Sequence, residues 1–155
     1  MLNRKNSVTL SLVVCYVICA VLTIGLFLGP WAVKMWFCVY RGWNGQSVPM
    51  EQMLTLFKAC FYPCAVIAYV TLYSLIRLLL NIKRDEIFIK ENVQYLRRIS
   101  WCCFVVALIT GVGGLQYLPF LFVTIAAAFI GLMLRVVKNV VDSAIKIKTE
   151  NELTI

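Results

Sequence analysis

SVTLSLVVCYVICAVLTIGLFL, running from Ser7 to Leu28, carries no charged residue and is long enough to cross a lipid bilayer. A helix needs roughly 20 apolar residues to span about 30 Å of hydrocarbon. Leu54–Leu80, Ser100–Leu118 and Phe120–Val137 approach or exceed the same length. Of the 155 residues, 62% are hydrophobic and only 14% charged, which leaves too little polar surface for a soluble domain. The expected fold is all-α: a polytopic membrane protein forming one four-helix transmembrane bundle over residues 1–155. The spans are expected at about 7–28, 54–80, 100–118 and 120–137. An outer loop (29–53), a cytoplasmic connection (81–99) and a cytoplasmic tail (138–155) complete the layout.

The formal charge of +8 invites a nucleic-acid reading, but its arrangement has a plainer cause. Arg4 and Lys5 precede the first span, and Arg77, Lys83, Arg84, Lys90, Arg97 and Arg98 cluster around the middle connection. Arg135, Lys138, Lys146 and Lys148 close or follow the last span, leaving only Lys34, Arg41 and Lys58 toward the other side. Basic residues near span ends are retained in the cytoplasm, so both termini and the middle connection are expected there. Direct nucleic-acid binding is not expected; attraction to anionic headgroups accompanies the topology. The first span is too long for a signal-peptide core, which predicts a retained helix, and no lipidation signal is evident.

Gly29-Pro30 punctuates the first span. The outer segment that follows holds Trp31, Trp36, Phe37, Tyr40 and Trp43, rings that favour the headgroup layer. An interfacial anchor is the expectation and a ligand-binding lid the functional alternative. Lys58 sits about one turn inside the outer end of span two, shallow enough for its methylenes to snorkel. In the sharper reading, Lys58 with Trp36 and Trp43 receives an anionic ligand at the outer face. Val93, Leu96 and Ile99 recur at three-residue spacing, which predicts one helix running unbroken into span three. Gly111, Gly113 and Gly114 permit close helix approach or a tight outer turn before Pro119. Past span four, Val137, Val140, Val141, Ala144, Ile145 and Lys148 share one predicted side, with Lys138, Asp142 and Lys146 at i, i+4 on another. An uninterrupted helix from Phe120 to Lys148 would project two to three turns beyond the membrane.

Little in the chain supports catalysis. There is no histidine, which removes the commonest metal ligand and general base. No acidic residue lies inside a span, so no intramembrane carboxylate is available to carry protons. Seven cysteines include Cys15/Cys19 and Cys60/Cys64, each pair one helical turn apart, and adjacent Cys102-Cys103. Without a C-x-x-C pair or a charged, accessible setting they read as small apolar packing residues rather than redox or zinc groups. No catalytic residue, cofactor or metal is expected.

Phe88, Glu91, Asn92, Val93, Leu96, Arg97 and Ile99 before span three, with the closing Glu150, Glu152, Leu153, Thr154 and Ile155, resemble two short motifs of a known family. It is a family of small bacterial four-span membrane proteins, domain of unknown function family 2975. The chain departs from the family pattern at Asp85-Glu86-Ile87 and Ile89, where members often carry a Gly-x-Pro turn and a Ser/Thr helix cap. The resemblance implies the fold and a bacterial plasma-membrane location, but no established activity. Members are often encoded beside a small helix-turn-helix regulator, which implies a membrane partner that restrains or signals to a transcription factor. Glu91 and Asn92 are placed to cap the helix entering span three, and Arg97 to pair with Glu150 or Glu152.

The leading expectation is therefore a non-enzymatic membrane protein whose cytoplasmic face binds a protein partner. Glu91, Asn92, Leu96, Arg97, Arg98, Glu150, Glu152, Leu153, Thr154 and Ile155 supply the candidate contacts. Transport, or immunity against membrane-active peptides or amphiphiles, is the alternative, using Lys58, Trp36 and Trp43 and assembling as a homo-oligomer. A membrane thiol oxidoreductase ranks last.

Overall fold

A computed structural model describes residues 4–44, 50–115 and 118–153. Its four helices are α1 (Arg4–Asn44), α2 (Met50–Lys83), α3 (Lys90–Gly114) and α4 (Pro119–Leu153). All four are long and apolar enough to cross a membrane, so the all-α multi-span expectation holds. Successive helices run antiparallel. Thr23 on α1 meets Tyr69 on α2, Cys60 on α2 meets Ile109 on α3, and Thr110 on α3 meets Thr124 on α4.

Contacts follow chain order: α1 packs on α2, α2 on α3, and α3 most extensively on α4. Among the described residues α1 touches neither α3 nor α4, and α2 does not touch α4. The bundle is therefore open, with α1 and α4 at its edges. Burial follows that order, since one-third of the apolar window of α3 is buried and only 6% of that of α4. In lipid such exposure is no defect, because hydrocarbon solvates an aliphatic side chain as well as another helix does.

The segment expected as an outer loop, 29–53, is helical through Asn44 and again from Met50. Pro30 does not end α1: its fixed φ suits a helix, and only one backbone donor is lost. The residues beyond it, WAVKMW, contain no second breaker. At about 1.5 Å per residue the 41-residue α1 is roughly 60 Å long, twice the hydrocarbon thickness. Part of it must tilt or leave the membrane. α2 likewise continues through Pro63.

Close helix approach depends on small residues. A Cβ on Gly131 would lie 3.2 Å from Cys103 Cβ and 3.4 Å from the Phe104 ring, so α4 sits against α3 at a point where even one added carbon would need its neighbours to give by a few tenths of an ångström. The Ser100 hydroxyl donates to the Gly131 carbonyl at 2.8 Å in the same place. At the far end of the hairpin a Cβ on Gly114 would come within 3.2 Å of the Leu121 backbone nitrogen. Gly113 and Gly114 near the α3–α4 turn thus serve close approach of α3 to its neighbours, as the sequence allowed, while Gly111 would meet only ordinary contacts.

The α2–α3 connection is a defined turn. The Glu86 amide donates to the Asn81 carbonyl at 3.0 Å and the Asp85 amide to the Ile82 carbonyl at 3.1 Å, the pattern of a Schellman cap. Asp85 holds its left-handed position with φ 64°. That position suits glycine, which the family pattern often has there, because an L side chain crowds its own backbone at positive φ. Ile89 is the N-cap of α3 and offers no side-chain hydrogen bond. The double substitution Asp85→Gly with Ile89→Thr is expected to stabilise the fold by on the order of 1 kcal/mol. A rise in the thermal midpoint in detergent would show it; a fall would mean that the half-buried Ile89 contributes more by packing than a cap would.

Candidate functional site

The N-terminal end of α1, the α2–α3 connection and the C-terminal end of α4 share one end of the bundle, where the basic residues collect. Arginine–aromatic pairs gather at this end. The guanidinium of Arg77 lies 5.4 Å from the Tyr73 ring centre, that of Arg98 5.9 Å from Tyr95, and that of Arg135 5.3 Å from Trp101. A guanidinium over an aromatic face is attracted by the ring's quadrupole, and Trp and Tyr are enriched at membrane interfaces in general.

Asn92 is the best-held polar side chain at this end. Only 2% exposed, it sends its Nδ2 hydrogens to the carbonyls of Glu86 at 2.8 Å and Ile87 at 2.9 Å. Its Oδ1 accepts from the Asn81 amide at 2.9 Å. Asn92 therefore is not the N-cap of α3, as its position in the sequence suggested; that position is Ile89. It is the third residue of the helix, and its side chain clamps the connection to the end of α2. Leu96, 7% exposed, faces the same interior. Neither can present itself to a partner; both hold the surface that Glu91, Arg97 and Arg98 expose.

The other candidate residues are scattered. Ser100 against Gly131 sets the register, which places Lys90 level with about residue 141, so the last dozen residues of α4 outrun α3 by roughly 18 Å. Glu150 is exposed on that extension, some 22 Å along the axis beyond Arg135. Among the described residues no ion pair joins Arg97 to Glu150, and the side chain of the alternative partner, Glu152, lies outside the described set. The reason is the rigid continuation of α4, which carries its acidic end away from α3. Glu152 and Leu153 lie in its last turn, with side chains outside the described set, and Thr154 and Ile155 lie outside the described residues. At the opposite end Lys58 is half-buried on α2 and Trp36 exposed on α1; Trp43 falls within α1, its side chain outside the described set.

A cleft between α3 and α4 went unread in the sequence. It encloses about 450 Å³ and is lined by Arg97, Ser100, Trp101, Arg135, Lys138 and Asn139. Lys138 was expected on a different helical side from Val137, Val140, Val141 and Ile145. The seam fixed by Gly131 instead turns Lys138, Val141 and Ile145 inward, leaving Val137 and Val140 exposed. The Lys138 ammonium reaches Asn139 Oδ1 at 3.2 Å and Asp142 Oδ2 at 4.0 Å.

All seven cysteines are free thiols, and Cys60 donates weakly to the Ile109 carbonyl at 3.9 Å. Among the described residues no three Cys, Asp or Glu side chains gather where they could hold a metal ion.

The family described as "Protein of unknown function (DUF2975)" matches residues 40–155. The chain belongs to that family. The match takes in α2, α3 and α4 and both motif segments, together with the Asn92 clamp and the α3–α4 cleft; most of α1 lies outside it. No curated protein and no solved structure matches the chain.

Proposed function

We propose that this DUF2975 protein is a non-enzymatic component of a bacterial plasma membrane, with its termini and α2–α3 connection in the cytoplasm. Its cytoplasmic end docks a protein partner, a small helix-turn-helix regulator that it restrains or signals to. The observation that carries this reading is the overhang of α4. Beyond the level of Lys90 it continues as helix to Leu153. Val140, just before the overhang, and Ile147, on it, are spaced for one helical face and stay exposed beside Lys146 and Lys148. An exposed aliphatic row outside the hydrocarbon calls for a cover, and a helix laid into a groove is a common one. Arg97 and Arg98 on α3 add charge beside it. The absence of histidine supports a role without acid–base chemistry.

The reading is tested by co-purification from cells of the regulator encoded beside the gene. Arg97→Glu with Arg98→Glu, and separately Val140→Asp with Ile147→Asp, are expected to abolish capture while the protein still reaches the membrane. Capture that survives both changes would overturn the proposal.

A further inference from the structure

The α3–α4 cleft has a composition that topology alone does not require. Arg97, Arg135 and Lys138 come from two helices and converge on one opening, and the sole carboxylate near any of them among the described residues is Asp142, 4.0 Å from Lys138. Positive charges brought together repel, and the arrangement costs free energy unless an anion joins them. Asn139 and the Ser100 hydroxyl add neutral polar groups to the wall. The Arg135 guanidinium is pinned over Trp101 at 5.3 Å and Phe104 at 5.8 Å, so its hydrogen-bonding fork is held in place without any carboxylate.

What lies next to the cleft on the membrane side narrows the ligand. Trp101 and Leu108 share the α3 face that carries Arg97, at four- and eleven-residue spacing, and both are well exposed. Leu132 and Ile125 do the same on α4, one to three turns from Arg135. Two aliphatic rows thus run from the basic opening into the hydrocarbon, with the exposed Trp101 at the junction where its indole favours the headgroup layer. A cationic opening at headgroup depth beneath parallel apolar rows matches a molecule that is phosphate at one end and acyl chain at the other.

We propose that this cleft is a phosphate-binding site and that it takes the headgroup of an anionic phospholipid, whose acyl chains lie along the exposed rows of α3 and α4. Arg135 and Arg97 bind the phosphate oxygens by paired N–H donors, Lys138 supplies a point charge, and Ser100 and Asn139 line the headgroup. Bound lipid would fill the open side of the α3–α4 pair and neutralise the cationic cluster. This site shares Arg97 with the proposed docking surface, but Arg135 and Lys138 do not lie on the α4 overhang, so changes at those two residues separate lipid binding from partner docking.

The test uses the full-length protein, stripped of lipid in detergent and titrated by native mass spectrometry. The probes are phosphatidylglycerol, phosphatidylcholine and inorganic phosphate. Phosphatidylglycerol is expected to bind with a preference over phosphatidylcholine. Arg135→Gln, Lys138→Gln and Arg97→Gln are each expected to weaken it by about fivefold. Arg97→Gln alters an exposed side chain, so it remains informative if the changes on α4 impair folding. Inorganic phosphate that competes at concentrations comparable to the lipid would support the phosphate site but assign it to a soluble ester. Equal binding of both lipids, unchanged in all three variants, would overturn the proposal.

Discussion

Replacing Asn92 by Leu is expected to destabilise the protein by about 2–4 kcal/mol, although the two side chains are similar in size. The change removes both donors that hold the Glu86 and Ile87 carbonyls and the acceptor that holds the Asn81 amide. Each buried polar group left without a partner costs about 1–3 kcal/mol, and the total is smaller than the sum because the connection can open toward water. The connection should loosen before the helices separate, since Asn92 is what ties it to α2. Two measurements check this. The midpoint of unfolding in detergent should fall, and trypsin should cleave after Lys83 or Arg84 faster than in the parent protein. Unchanged cleavage would mean that the Schellman hydrogen bonds hold the turn without Asn92.

Gly131→Leu is expected to separate α3 from α4, at a cost of about 2–4 kcal/mol. The first atom added would sit 3.2 Å from Cys103 Cβ and 3.4 Å from the Phe104 ring, and a full leucine cannot be seated without moving one helix. The Ser100 hydroxyl would lose the Gly131 carbonyl, a bond worth about 0.6 kcal/mol between membrane helices. Ser100→Ala alone should therefore be nearly silent, and Gly131→Leu severe. Thiol labelling reads the difference: Cys103 should react faster with a small maleimide in Gly131→Leu and at the parental rate in Ser100→Ala. A parental rate in both would show that the helix contact tolerates the added volume.

Of these two residues the sequence half-revealed only Asn92; nothing in it singled out Gly131. Asn92 stood inside a family motif, and a polar residue near a helix start is ordinarily a cap. Its true partners are carbonyls across a turn whose shape depends on the positive φ of Asp85, and no local pattern displays that. Leu96 was legible as one of a row with Val93 and Ile99, and the structure buries all three. Arg97 and Arg98 were legible as charges apart from topology, and they are exposed at the same end. Lys138 was misplaced because the valines around it outnumbered the signal from Gly131, and in a helix exposed to lipid an aliphatic residue is no guide to the inward face. The outer loop was misread for a related reason: Gly29-Pro30 is a strong local stop, but one missing donor does not halt a helix whose next residues favour continuing.

The sequence by itself determined four apolar helices long enough to cross a membrane and the concentration of basic charge at one end. Those properties follow from composition and length, since the cost of placing a charge or an open backbone in hydrocarbon is paid residue by residue. Only the tertiary structure decided that the helices pack in chain order with α1 and α4 at the edges, that Asn92 clamps the connection, and that Arg97, Arg135 and Lys138 meet in one cleft. Each of these depends on how one helix is rotated against the next. Helices that are apolar on every side do not write that rotation into their hydrophobic pattern. Here it is set by a glycine and a few Ser and Thr hydroxyls, whose meaning appears only once the neighbouring helix is in place.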